Sequence, residues 1–355
     1  MRLKLSVLVL ALLMLSFGFN TPPAARIECV AGCEDGPLGG PAVKAKLIEP
    51  FGVAFDKAGR WYICEYQAHR ITSVSPGGDI NLFSGMERPG YGGDAGPASG
   101  ASFNEPHGLV IAGDRQMYVA DTRNHCIRKI DLKSGTITTI AGTGKAGFSG
   151  DGGPAINAEF NGAFAVAANR EGDKIYVADL GNRRIRLLDL KSGKITTVAG
   201  NGAEGVPVDG SDAAAGPLVD PRAVALDGKG NLYILERRGN ALRVVDPKGK
   251  IRTLIGPAAG DNPPLGPKLN GPKHLCVDLK DNVIIADSEN HLIRKYLPKE
   301  GKTRTIAGTG EKGALVAPED PLKTQLNRPH GVYVHSSGSL YISDSYNHRI
   351  LRMTG

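Results

Sequence analysis

The stretch "EPHGLVIAGDRQMYVADTRNHCIRKIDLKSGTITTIAG", Glu105 to Gly142, holds four short runs that read as β-strands. Gly108–Ile111, Met117–Ala120, Ile127–Ile130 and Thr136–Ile140 alternate or are continuously apolar, and β-branched residues are frequent in them. "AGD" and "KSG" supply turns between the runs, and no helical period is sustained. The unit recurs. Its relatives begin near Pro50, Ala163, Pro221, Pro272 and Pro329, giving six units at intervals of 51 to 58 residues. A four-stranded sheet of this size cannot bury its faces alone, so the units must stack on one another. Radial stacking into a closed propeller leaves only short, protected edges, whereas a linear solenoid exposes an end.

Two irregularities favour the ring. The sixth unit, "RPHGVYVHSSGSLYISDSYNHRILRMTG", has runs one to three and reaches Gly355 without a run four. The fragment "RIECVAG", Arg26 to Gly32, resembles the run four of other units, such as "TITTIAG" and "KITTVAG", with no unit before it. The expectation is an all-β chain: a six-bladed β-propeller of four-stranded antiparallel blades over residues 26–355. The N-terminal strand completes the last blade, with Ile27 to Gly32 beside Ile350 to Met353.

Residues 1–25 read as a signal peptide with an uncertain cleavage point: Arg2 and Lys4 precede the apolar run Leu5 to Phe17, and small residues and prolines follow. The expected chain is therefore exported (periplasmic, cell-surface or secreted) and monomeric. No later stretch is apolar over the ~20 residues that a spanning helix needs. The formal charge of +7 becomes +5 without Arg2 and Lys4. The excess is spread along the chain, so it favours acidic partners weakly, and export argues against nucleic acid. Of the cysteines, Cys64 and Cys276 read as small buried hydrophobes, and Cys126 replaces an arginine of the repeat. Cys29 and Cys33 have no evident partner. The number is odd, so at least one thiol is free or pairs between molecules.

The turn after run two carries "ADSENHLIRK" (Ala286 to Lys295), with relatives "ADTRNHCIRK", "ADLGNRRIRL" and "SDSYNHRILR". With the Pro-x-Gly that opens run one, these resemble the NHL repeat over essentially all of residues 26–355. The resemblance implies a six-bladed β-propeller, in agreement with the count of units. NHL propellers mostly bind partners; the peptidyl-amidoglycolate lyase, a distant resemblance, is an enzyme on the same fold. The connector "AGFSGDGGPA" is similar to those of exported bacterial NHL proteins.

Six acids at the end of run two, Glu65, Asp121, Asp179, Glu236, Asp287 and Asp344, repeat once per unit, as scaffold residues do. They can accept backbone N–H bonds in the turn and pair with arginines of run three such as Arg128, Arg186, Arg243 and Arg294. The residue after the proline differs between units. It begins the innermost strand and should point to the central channel: Phe51, His107, Phe164, Arg222, Lys273 and His330. Arg222 and Lys273 offer charge to a carboxylate or phosphate, with phenyl walls beside them. In the lyase, Pro-His motifs on alternate blades supply three zinc ligands. The resemblance carries over only at His107 and His330, because the third alternate blade has Arg222. Two histidines are fewer than the protein ligands of a zinc site. His274, one residue further along blade five, is turned away by strand parity, and the nearest match to the family's catalytic tyrosine is Tyr346.

Connectors of 21 residues in four of six cases lead from one blade to the next, with Asp94, Asp151 and Asp209 in them. They read either as a binding rim around the channel mouth or as packing between blades. The favoured reading is a binding propeller. Its connector face and basic channel mouth would take a protein, a peptide or an anionic small molecule. The alternative is a metal-dependent lyase or hydrolase with its site in the central channel, which would require zinc or another divalent metal.

Overall fold

The computed structural model describes residues 25–113, 115–260 and 265–355. The signal-peptide reading over residues 1–25 therefore lies almost wholly outside the described residues. Six antiparallel sheets follow one another along the chain. Blade one holds Pro50–Phe55, Trp61–Glu65, Arg70–Val74 and Asp79–Gly85, and blade two Pro106–Ala112, Gln116–Asp121, Cys126–Asp131 and Ile137–Ala141. Blades three, four and five begin at Ala163, Pro221 and His274. Blade six holds Gly331–Val334, Leu340–Asp344 and Arg349–Thr354, and its fourth strand is Arg26–Ala31. The innermost strands touch in order, and that of blade six touches that of blade one, so the ring is closed. No helix among the described residues is long and apolar enough to cross a membrane.

Closure occurs where the repeat pattern places it. Ile27 pairs with Met353, Cys29 with Leu351 and Ala31 with Ile350. Ile27 and Ala31 are buried, and Ile27 joins Leu326, Val332 and Leu351 in the core between blades five and six. The core as a whole lies between blades: Val53 and Ile63 of blade one, for instance, pack with Tyr341 and Ile350 of blade six. Cys29 and Cys33, which the sequence left without partners, form a disulfide with each other. It spans the bulge between Cys29 and Ala31, where the strand ends.

Each repeated acid is scaffold. Asp121 accepts the backbone N–H of Asn104 at 2.8 Å, the Asn124 amide at 2.9 Å and the guanidinium of Arg128 at 3.4 Å. Asp179, Asp287 and Asp344 accept the same set from Asn161, Asn182 and Arg186, from Asn270, Asn290 and Arg294, and from Asn327, Asn347 and Arg349. In blades one and six the arginine comes from the first residue of strand three, Arg70 and Arg349, yet it reaches the same carboxylate.

In four blades the repeated histidine couples the blade to the next. Its backbone is left-handed, at φ between 49° and 55° in His69, His125, His291 and His348. Nδ1 of each accepts the N–H that precedes the next blade's first strand: Glu105 to His69, Gly162 to His125, Arg328 to His291 and Glu49 to His348. Blade four substitutes Asn240, whose Oδ1 accepts from Gly271 at 2.8 Å.

The connectors are chiefly packing. The one before blade three runs beside that blade's outermost strand: Gly152 donates to Ile195 O, Ile195 to Gly153 O and Ala155 to Gly193 O. Equivalent bonds join Ala95 and Ala98 to blade two and Gly210 and Ala213 to blade four. Pro318 accepts from Ile27, so the closing strand is covered like strand four of blades two to four. Asp94 and Asp151 pair with the buried Arg128 and Arg186, and Asp209 accepts from Thr253. These three acids are thus committed to the scaffold. Docked connectors also cover strand edges that would otherwise present free N–H and C=O groups.

Candidate functional site

Bulges aim the channel residues. In blade one Pro50 pairs with Glu65 and Gly52 with Cys64, which leaves Phe51 as the extra residue. The same skip falls on His107, Phe164 and Arg222. A bulge bends the strand and redirects one side chain, here toward the axis. Lys273 and His330 stand just before their ladders and donate their N–H groups to Ala286 O and Ser343 O.

The six positions named from sequence come together. Phe51 stacks on His330, with ring centroids 4.2 Å apart, and meets the edge of His107 at 4.8 Å. His107 meets Phe164 at 5.1 Å, and the Arg222 guanidinium lies 4.1 Å from the centre of the Phe164 ring. Arg222 Nη2 donates to His107 Nε2 at 2.9 Å, so the proton of that neutral ring sits on Nδ1. Phe51, His107, Arg222 and His330 are buried and close the channel at the connector face.

Burial sets the charge state of this cluster. It lowers the pKa of His107 well below the usual value, helped by the Arg222 charge, and does the same to His330, helped by Lys273. Both imidazoles are neutral at pH 7. Burial also brings Lys273 down to about 8 and Arg222 down to about 9, each assisted by a neighbouring cation, and both remain protonated at pH 7.

The two cations differ in their partners. Lys273 Nζ lies 3.5 Å from Glu289. Among the described residues Arg222 has no carboxylate within ion-pair distance, and its Nε is buried without a hydrogen-bond partner. Asp220, the acid nearest in sequence, is held by Arg237 at 2.8 Å. The other buried arginines, Arg70, Arg128, Arg186, Arg243 and Arg349, each contact an acid of their own blade.

His107 and His330, the two histidines of the metal alternative, lie on either side of the Phe51 ring. The Phe51 ring packs against both, Nε2 of His107 faces a guanidinium, and Nδ1 of His330 lies 3.0 Å from the Arg328 carbonyl oxygen. Among the described residues no group of three or more His, Cys, Asp or Glu side chains gathers as metal ligands would.

The rim adds Tyr66, Arg328 and Glu289, which sequence reasoning did not select, and brings in Tyr346, which it named only as the nearest match to the lyase tyrosine. Tyr66 stacks on Phe51 at 4.7 Å and Tyr346 on His330 at 5.7 Å, so four parallel rings run Tyr66, Phe51, His330, Tyr346. Arg328 caps the column 5.1 Å from the Tyr346 ring and pairs with Glu289. At the other end the Tyr66 hydroxyl donates to Glu105, which also holds Arg123. The available signal was variation. The second residue after the acid reads Gln67, Arg123, Gly181, Arg238, Glu289 and Tyr346 round the ring, which repetition does not require.

Below this plug the channel is open. A cavity of about 440 Å³ is lined by all six innermost strands and reaches Asp56, Lys57 and Ser336 at the opposite face. His274, expected near the connector-face mouth and turned away, lines this cavity and packs against the Tyr333 ring at 4.7 Å.

Residues 103–130 and 326–353 match the NHL repeat family model. The chain is 31% identical over 342 residues to NHL repeat-containing protein 2 of Gallus gallus, covering 86% of this chain and 46% of that protein. It thus spans about half the length of this relative. Among solved structures, an auxiliary nutrient binding protein from Bacteroides ovatus ATCC 8483 superimposes with a TM-score of 0.66 at 15% identity, over 94% of this chain and 77% of that one. Virginiamycin B lyase from Staphylococcus aureus gives a TM-score of 0.57 at 13% identity, over 93% and 99%. At such identities the structures share the fold alone. The chain thus carries NHL repeats on a six-bladed β-propeller and resembles NHL repeat-containing proteins.

Proposed function

We propose that this propeller is an exported binding protein. Its channel mouth on the connector face takes the carboxylate or phosphate of a small molecule, peptide or protein, and Arg222 is the anchoring residue. One observation carries the reading: among the described residues Arg222 is a buried guanidinium with no acid in contact, whereas the other buried arginines are paired. A buried charge without a counter-ion is costly, and an arriving anion would relieve that cost. A guanidinium can grip carboxylate or phosphate with two bonds, while Phe164 and the aromatic column wall the site. Lys273 adds a second, partly neutralised cation.

Export is supported by the Cys29–Cys33 disulfide, which suits an oxidising compartment. The connectors, with their acids committed to the scaffold, contribute shape to the face more than ligands.

Titration calorimetry with inorganic phosphate and with citrate tests the reading. The wild type should bind at least one of them, and Arg222→Gln should lose at least tenfold in affinity. Equal affinity in the variant would remove Arg222 from the site.

A further inference from the structure

We infer that the outer edge of blade five, strand Lys302–Ala307, is a second and independent binding site. It takes an extended segment of a partner protein, antiparallel to the strand, in which an aspartate is followed by two small residues.

The molecule itself supplies the template for that segment. In three blades an Asp-small-small run of the connector clasps the fourth strand in the same way. Ala95 donates to Ile137 O and Ile137 to Gly96 O. Gly152 donates to Ile195 O and Ile195 to Gly153 O, and Gly210 to Ile251 O and Ile251 to Ser211 O. The runs lie antiparallel to the strand, with Pro97 opposite Thr136 and Pro154 opposite Lys194. The aspartate before each run is held by the blade it covers. Arg128 holds Asp94 at 2.9 Å. Arg186 and Thr197 Oγ1 hold Asp151 at 2.8 and 2.7 Å, and Thr253 Oγ1 holds Asp209 at 3.0 Å. Blades one and six are covered too: Gly40–Pro41 pairs with Ile80 and Asp79, and Pro318 accepts from Ile27.

Blade five keeps the receiving half of this arrangement. Arg294 stands opposite Thr305 as Arg186 stands opposite Thr197, with Nη1 3.4 Å from the threonine Oγ1. Thr303 takes the place held by Ile27, Ile80, Ile137, Ile195 and Ile251 in the other ladders. Those isoleucines are fully buried, whereas Thr303 is half-buried.

Among the described residues the covering half is absent. The connector from Gly256 to Pro272 is five residues shorter than the usual 21, and Gly256 and Leu265 exchange backbone bonds with each other. Among those residues no connector backbone group bonds to Thr303, and the one carboxylate on Arg294 is Asp287 of its own blade. The Arg294 side chain is 15% exposed, while those of Arg128, Arg186 and Arg243 are fully covered.

By register the N–H and C=O of Thr303 face outward, as those of Ile195 do. An open edge of this kind pairs with an added strand. Charge selects the occupant. Lys302 and Arg304 are exposed on the strand, and Glu300 offsets only Arg304. A second copy pairing through the same edge would set these cations against each other, which is unfavourable. An acidic segment is drawn to them, and its carboxylate can complete the Arg294 and Thr305 pair as Asp151 completes its own.

The strand lies at the perimeter of the ring, as the last of its sheet, and Arg222 lies at the channel mouth. The two proposals therefore stand or fall separately.

The probe is a peptide with the sequence of residues 148–156, FSGDGGPAI, acetylated and amidated so that its aspartate is its one carboxylate. It is titrated into the whole chain by calorimetry. Saturable one-to-one binding by the wild type is expected. The peptide with Asp151→Asn should bind about tenfold more weakly, the worth of a charge-assisted pair. Thr303→Pro removes the outward N–H and no bond of the ladder, so it should fold and lose binding. Thr305→Val should weaken binding severalfold even if the proline variant folds poorly. Arg222→Gln should bind the peptide like the wild type. Absence of saturable binding, equal affinity for the asparagine peptide, or full binding by a correctly folded Thr303→Pro or by Thr305→Val would overturn the proposal. So would loss of binding in Arg222→Gln, which would move the peptide to the channel mouth.

Discussion

Nδ1 of His69 in blade one accepts the backbone N–H of Glu105, the residue before the first strand of blade two, at 3.0 Å. His125, His291 and His348 repeat this bond at the next-blade junctions they serve. A protonated imidazole has no lone pair to accept it. Burial holds the pKa values of His69, His125 and His291 below the ordinary value, so the folded chain binds fewer protons there than the unfolded chain. Their contribution is present above the unfolded pKa near ~6.5 and is lost as pH falls through the folded values.

The buried acids run the other way. Burial raises Asp121 and Asp179 to about 6, which favours the fold as pH drops toward the ordinary carboxylate range. The clean measurement is therefore a difference. Asn240 already fills the histidine's role in blade four with a group that does not titrate. His125→Asn should melt close to the wild type at pH 7.5. It should be the more stable of the two by up to about 1 kcal/mol at pH 5, as read by calorimetry.

Deleting residues 26–32 should leave strand Arg349–Thr354 without its partner and uncover the core that Ile27 and Ala31 close. Losing a buried isoleucine, an alanine and an edge pairing should cost about 3 kcal/mol or more. Cys33→Ser should cost less, about 2 kcal/mol at most, because the disulfide closes only a short loop. Melting temperatures of the three proteins check the order.

Anion binding should weaken on the alkaline side. Lys273 loses its charge through about 8, so affinity for phosphate should fall as pH rises from 7 to 10, while the Arg222 guanidinium keeps its charge. Lys273→Gln should flatten that profile.

Glu289→Gln should have the opposite effect to the arginine change. Glu289 neutralises Lys273 and Arg328 at the rim. Removing its charge should raise phosphate affinity by roughly threefold to tenfold at low salt, with less effect at high salt. Calorimetry at two ionic strengths reads both numbers.

Much of this was legible in the repeat. Blade count, ring closure, the scaffold role of the acids and the six channel positions follow from what recurs and what varies between units. Other features depend on contacts distant in sequence. Glu289 pairs with Arg328 across 39 residues, and Asp94 meets Arg128 across 34. The bulges that aim Phe51, His107, Phe164 and Arg222 are a property of ladder register, which strand composition does not express. Cys29 and Cys33 pair because a bulge brings together residues that an unbroken strand would hold apart. The cavity below the plug depends on where the plug ends, and so on how four rings stack.

The central claim is that the charge of Arg222 is answered by an anion from outside the chain. Crystals soaked in selenate and measured at the selenium edge test it most directly. The account predicts an anomalous peak within hydrogen-bond reach of the Arg222 guanidinium, on the side away from His107, that disappears in Arg222→Gln. An empty site at Arg222 with selenate bound elsewhere, or a carboxylate of the chain itself in contact with that guanidinium, would contradict it.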